Sequence, residues 1–414
     1  MKKSFKKSEK KPVEKPVEKP VEMQKKSYSK ISYAVLGIAL IVSLMTLVPV
    51  VFPALYSIST VPNGFEKMGL EIDFIDKYEM GVLAIPLIFS NAIVFCLYIF
   101  RKKIPKISKI FSIDIPQKVS LIVVLVVIVA YGSISFSEVY TDEKYQDWID
   151  VLDRLDNELS VEQIDPFLRL FLLNQSMTVF GSYKIIPLLF SMALLAMTYL
   201  FTTSITKNRF SGLISMGLVL QSYIFLTFGT SSTYTSFWVF FYLVSLYAIV
   251  KFWFTNPVFY VASIFCKAIT AIFSPMSIFF ILNSNIPKKQ KIILSGIILV
   301  MVIGGTSTIL VSGSMQEEFK LHEFVVGFAA FAFQMRFDVI TVLFLMPLIF
   351  GLFIISKNNR HANSISFLIV GILFSAPLLS GLTDQTNQPY RQLPLIVFFA
   401  VGVGMLFSKV NSKL

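Results

Sequence analysis

The chain has 414 residues, of which 55% are hydrophobic and only 15% charged, against about 25% charged in soluble domains. With a mean hydropathy of +0.71, that composition excludes a soluble globular protein and marks an integral membrane protein. The formal net charge is +12, but the positives stand beside apolar runs, where they orient helices rather than bind nucleic acid.

The chain opens on "MKKSFKKSEKKPVEKPVEKPVEMQKKSYSK", which contains three tandem KPVE units. Proline at every fourth position prevents a helix, and nothing apolar can build a core. Residues 1–30 are predicted to be a disordered basic cytoplasmic tail, too long and polar for a cleaved signal peptide. It serves either to enforce topology or to bind anionic lipid.

A spanning helix needs about 20 mostly apolar residues. Runs of that kind fall near 31–53, 80–100, 118–137, 184–203, 211–228, 234–252, 257–273, 275–285, 291–312, 338–356, 364–381 and 392–408. The expected fold is therefore all-α, a polytopic membrane bundle of about 12 spans. Pro275 breaks the seventh and eighth runs, so that pair is read as a bent or re-entrant hairpin. Cys96 and Cys266 lie inside apolar runs and form no disulfide or zinc pattern.

The basic segments "RKKIPKISK", "TKNR", "IPKKQK", "SKNNRH" and "KVNSKL" all fall on one side of such a twelve-span chain. Lys and Arg face the cytoplasm, so both termini, including the tail 409–414, are expected there, in a multi-pass protein of the cell membrane. The opposite side holds 54–79, 138–182, 229–233, a tip near Ser274, 313–337 and 382–391, with most of the acidic residues.

The stretch "VYTDEKYQDWIDVLDRLDNELS", residues 139–160, is the most charged of these outer segments. Trp148, Val151, Leu152, Leu155 and Leu159 follow helical spacing, which predicts an amphipathic surface helix over 144–159. A second helix is expected from "IDPFLRL", with Asp165 as N-cap and Pro166 in the first turn. Asp142 and Glu143 stand at the mouth of the third span. They are open to two readings: Thr141 or Asp142 caps the surface helix, or a carboxylate is held where a lipid-linked substrate meets a soluble acceptor.

This layout resembles the GT-C superfamily of polyprenyl-phosphate-sugar-dependent glycosyltransferases, nearest to its protein mannosyltransferase-like branch. The resemblance covers 118–408 and leaves 31–117 as an extra two-span hairpin. It rests on the acidic pair, the amphipathic loop, Pro166, Phe180–Gly181, Tyr199, "TKNR" and the closing "NQPYRQLPLIVFFAVGVGM". It implies a GT-C-like bundle that moves a sugar from a polyprenyl (dolichyl) phosphate to a protein or glycan acceptor on the outer face.

The resemblance maps the catalytic acid onto Asp142 or Glu143. A leaving phosphate needs cations. Lys267, Arg391 and Arg336 are the candidates for phosphate, with Tyr390 and Asp384 for acceptor or sugar. A mid-helix lysine costs about 2.5–3.5 kcal/mol on insertion scales, so Lys267 is expected to face a polar cavity. Arg391 is balanced between phosphate binding and anchoring, and Arg336 between phosphate and an ion pair with Asp338.

No cofactor is assigned. A divalent metal is compatible with the chemistry, but no ligand motif is seen, and His322 beside Glu318 is too little for a site. The turn "FGTSSTYTSFW" carries no charge, where many relatives place an Arg or Glu. The rival functions are a transporter or flippase of lipid-linked sugars and a non-catalytic membrane protein.

Overall fold

The computed structural model describes residues 28–53, 55, 78–100, 113, 115–156, 166–311, 319–382 and 389–408. Among them every regular element is helical. The long helices are α1 (Lys30–Val51), α2 (Ala84–Phe100) and α3 (Gln117–Ser135), the last extended by a 3-10 segment over Phe136–Tyr140. A short α4 (Trp148–Asp156) and α5 (Phe167–Phe180) lead to α6 (Ile185–Thr206). Then come α7 (Arg209–Leu220), α8 (Tyr223–Phe228), α9 (Phe237–Lys251), α10 (Asn256–Cys266), α11 (Ser274–Asn283) and α12 (Lys288–Val311). The chain closes with α13 (Leu321–Met335), α14 (Val339–Ser356), α15 (His361–Leu382) and α16 (Leu393–Leu406).

Six segments among the described residues are long and apolar enough to cross a membrane: α1, Gln117–Tyr140, α6, α14, α15 and Pro389–Leu406. Their packing shows two environments. On α3, Ile122, Leu125 and Val126 are about 60% exposed, an apolar surface that water does not tolerate over a whole helix but lipid does. By contrast α16 is apolar all round and buried from Leu393 to Gly402, so it forms the axis of the bundle. The chain is a multi-pass helical membrane protein.

Small residues let the axis close. A Cβ on Gly404 of α16 would collide with Ser215 Oγ and the Ser211 carbonyl of α7. This is the small-residue contact by which membrane helices approach where no hydrophobic force drives them together. At the same end, Asn208 Nδ2 donates to the Phe407 carbonyl at 3.0 Å and Asn359 Nδ2 to that of Ile205 at 3.2 Å. These bonds tie the turns after α6, α14 and α16 into one layer.

Several elements differ from expectation. The 257–285 region is a hairpin, but it breaks at Lys267, which is extended (φ −162°, ψ 115°) between α10 and a 3-10 segment over Ala268–Phe273. Pro275 breaks nothing, because it sits in the first turn of α11, where proline's missing N–H is no loss. The expected span 211–228 is interrupted at Gln221, and Ser222 caps α8 by accepting from Phe225 N–H at 3.3 Å. The segment 313–337, expected as an outer loop, contains α13, which Lys320 N–H pins to the Gly381 carbonyl at 3.0 Å.

Within the described residues the surface helix runs over Trp148–Asp156 rather than from 144. Thr141 and Asp142 are thus too far upstream to cap it. Its stripe packs inward: Val151 is buried, and Trp148 meets the Tyr183 ring edge-on at 5.3 Å. Asp165 lies outside the described residues, and α5 begins after Pro166 and ends on Gly181 in the left-handed region (φ 70°).

Candidate functional site

The site lies at the end of the bundle opposite the Asn208–Asn359 layer. Its floor is the tip of the α10–α11 hairpin. These helices have 11 and 10 residues and are extended by 3-10 segments over Trp253–Thr255 and Ala268–Phe273. Ser263 Oγ donates to the Trp238 carbonyl at 2.6 Å, and Tyr260 Oη donates to that of Thr270 at 3.1 Å, which closes the tip.

Breaking the helix at Lys267 frees its side chain to leave the hairpin. Its Nζ donates to Tyr390 Oη at 2.6 Å and lies 4.0 Å from the Tyr390 ring centroid. Among the described residues that hydroxyl is its one acceptor, whereas an ammonium has three donors. Arg391 Nε reaches the same hydroxyl at 3.4 Å. Two cations, Lys267 and Arg391, thus meet at one buried tyrosine hydroxyl.

The roof is the turn between α8 and α9, residues 229–236. It is held from two sides. Glu143 accepts from Ser231 Oγ–H at 3.0 Å and from Ser232 N–H at 2.9 Å. Arg169 of α5 donates to the Thr233 carbonyl at 2.5 Å. The turn starts at Gly229 because nothing larger fits: a Cβ would strike Tyr131 Oη and approach the Phe225 carbonyl to 2.8 Å.

An aromatic wall joins floor to roof. Tyr234 stacks on Tyr390 with centroids 4.3 Å apart and planes 17° apart. Tyr145 meets Tyr234 edge-on at 4.8 Å and stacks near Phe228 at 5.7 Å. Tyr234 Oη donates to Asp147 Oδ2 at 2.5 Å. Burial pushes the Tyr234 hydroxyl well above its ordinary value, and the hydrogen bond to Asp147 adds to the effect. Burial, helped by the Glu143 charge, pushes Tyr145 up to about 12. Both phenols stay protonated and remain donors.

Of the residues expected at a site, Lys267, Arg391 and Tyr390 come together, and Glu143 braces the turn beside them. Asp142 is exposed. Its carbonyl accepts from the buried Lys184 Nζ at 3.2 Å, as does the Thr141 carbonyl at 2.7 Å, so the acidic pair is fixed by its backbone. Arg336 stands apart, with its guanidinium 3.5 Å from the Phe333 ring centroid. The ion pair with Asp338 is not how that carboxylate is used: it caps α14, accepting from Thr341 Oγ1–H at 3.0 Å. Asp384 and Glu318 lie outside the described residues. Among the described residues no group of three or more His, Cys, Asp or Glu side chains is placed to hold a metal ion.

Arg169, Asp147 and Tyr234 are site residues that sequence reasoning missed. Arg169 carried a signal, as a lone arginine in the apolar "PFLRLFLL". Fold and site together define a multi-pass membrane protein with a buried cluster of cations and tyrosines, bordered by the Glu143 and Asp147 carboxylates. No family model, curated protein or solved structure matches the chain.

Proposed function

We propose that the protein is a membrane glycosyltransferase of GT-C-like, roughly twelve-span architecture. It would move a sugar from a polyprenyl phosphate to an acceptor on the outer face. The observation that carries this reading is the meeting of Lys267 and Arg391 at the Tyr390 hydroxyl. A buried ammonium with one acceptor suits a phosphate that arrives from the lipid side and leaves with more charge than it brought.

In this reading the acceptor hydroxyl attacks the anomeric carbon and the bond from that carbon to the phosphate oxygen breaks. The hydroxyl proton goes to Asp142, whose carboxylate is open, and the bonding pair leaves with the lipid phosphate. Glu143 already accepts two hydrogen bonds and acts as a positioning residue for the roof. Tyr234 and Tyr390 offer the stacked surface on which a sugar ring rests.

The test is transfer in proteoliposomes from a labelled polyprenyl-phosphate hexose to added acceptor. Lys267→Met is expected to weaken donor binding at least tenfold without unfolding the protein. Normal donor affinity in that variant would refute the phosphate assignment.

A second reading, movement of a lipid-linked sugar across the membrane, draws on the interruptions at Lys267 and Gln221, since broken helices mark transporter sites. Donor crossing the bilayer intact, with no sugar released to acceptor, would favour it.

A further inference from the structure

At the other end of the bundle from Lys267, the turns after α6, α11 and α14 line a cavity of about 710 Å³. Its wall includes Lys207, Lys357, His361, Asn285, Asn359 and Tyr28, and no acidic side chain among the described residues. Two features set it apart from an ordinary basic membrane surface. His361 Nδ1 is buried without a hydrogen-bond partner among the described residues, although it borders this polar space. Lys207 is in the left-handed region (φ 58°), alone among the described non-glycine residues.

A helix C-cap in that conformation favours glycine or asparagine, and strain of this kind persists where the side chain has work to do. A cation also suits a helix C-terminus, but that alone does not explain why the strain is accepted inside a cavity wall. The Lys357 ammonium stands 5.8 Å from the Tyr28 ring centroid on the other side. Two lysines, a histidine and Asn285 bordering one space match the tetrahedral oxygens of a phosphate.

We propose that this cavity is a second binding site, independent of the Lys267–Tyr390 cluster, for a phosphate group presented by a lipid headgroup or by a soluble phosphate ester. Lys207 and Lys357 hold the charge, and His361 with Asn285 supplies neutral hydrogen bonds.

The experiment uses the full chain in nanodiscs and reads its thermal midpoint. One arm compares phosphatidylcholine alone with a mixture containing phosphatidylglycerol. The other adds inorganic phosphate or glycerol phosphate to phosphatidylcholine discs. The expected result is a rise in midpoint in one arm, which names the source. Most of that rise is expected to vanish in Lys207→Gly and Lys357→Met and to persist in Lys251→Met, a lysine at the exposed end of α9. Lys207→Gly relieves strain, so loss of the rise there reports charge rather than misfolding. No rise in either arm, or a rise equal in all variants, overturns the proposal.

Discussion

The Lys267 ammonium donates to the Tyr390 hydroxyl across 2.6 Å, although 123 positions separate them in the chain. This bond joins the tip of the α10–α11 hairpin to the 3-10 turn Pro389–Gln392 that leads into α16, a helix buried from Leu393 to Gly402. Because Lys267 has no other acceptor among the described residues, the two side chains are expected to couple strongly. Tyr390→Phe removes the acceptor but keeps the ring on Tyr234 and under the ammonium. A lost hydrogen bond to a charged group is worth about 1.5–3 kcal/mol, and that is the expected loss of stability. In the Lys267→Met background the same change should cost well under half as much. A thermal-unfolding double-mutant cycle in micelles checks this, and additive effects would show that the bond does not matter to the fold.

Gly229 gives a steric test of the roof. Gly229→Ala places a methyl against Tyr131 Oη and the Phe225 carbonyl, and overpacking of this kind costs about 1–3 kcal/mol. Tyr131→Phe removes one of the colliding atoms, an hydroxyl buried without a hydrogen-bond partner among the described residues. The double variant is expected to recover part of the loss. If Gly229→Ala is as stable as the parent, the turn is looser than its packing implies.

Much of the architecture was legible because the bilayer imposes a simple rule. Long apolar runs must become helices with their backbone groups satisfied, so the runs at 31–53, 184–203 and 364–381 map onto α1, α6 and α15. The breaks were harder. Pro275 looked like the interruption, but proline opens a helix as readily as it ends one. The actual break at Lys267 follows from where a charged side chain has to go, which depends on Tyr390. The site was half legible for the same reason. An intramembrane lysine and an arginine at a span mouth are conspicuous one at a time. Tyr234 sits in a turn without charge, and Asp147 looks like one polar residue on a solvated helix face. Only the contact between positions 87 residues apart reveals them as a pair.

Alkaline pH offers a check on the aromatic wall. Tyr145 in the folded protein is held up to about 12 from an ordinary value of 10.0. Between those values the unfolded chain loses the proton and the folded one keeps it, so stability falls as pH rises. The contribution is fully present below about pH 10 and is lost as pH approaches 12. Tyr145→Phe is expected to flatten this part of the stability profile in micelles. An unchanged slope would place Tyr145 in water rather than against Phe228 and Tyr234.

The acidic pair gives the sharpest contrast, because its two members are predicted to do different things. Glu143 accepts from Ser231 and Ser232 and thereby fixes the turn that carries Tyr234. Glu143→Gln keeps the shape but weakens one charge-assisted bond and trades an acceptor for a donor. It is expected to lower stability by about 1–3 kcal/mol and to weaken sugar-donor binding with it. Asp142 has an exposed carboxylate, and its place is set by Lys184 through backbone carbonyls. Asp142→Asn therefore leaves those contacts intact, and its expected stability change is within about 0.5 kcal/mol, as for surface changes generally. If Asp142 is the base, that variant loses 100-fold or more of the transfer rate, within the usual range for general-base removal of about 10²–10⁴, while donor binding is unchanged. Rates and donor affinities measured side by side for the two variants separate the roles. Full transfer activity in Asp142→Asn would remove it from the reaction and turn attention to Asp147, the carboxylate already in contact with the Tyr234 hydroxyl.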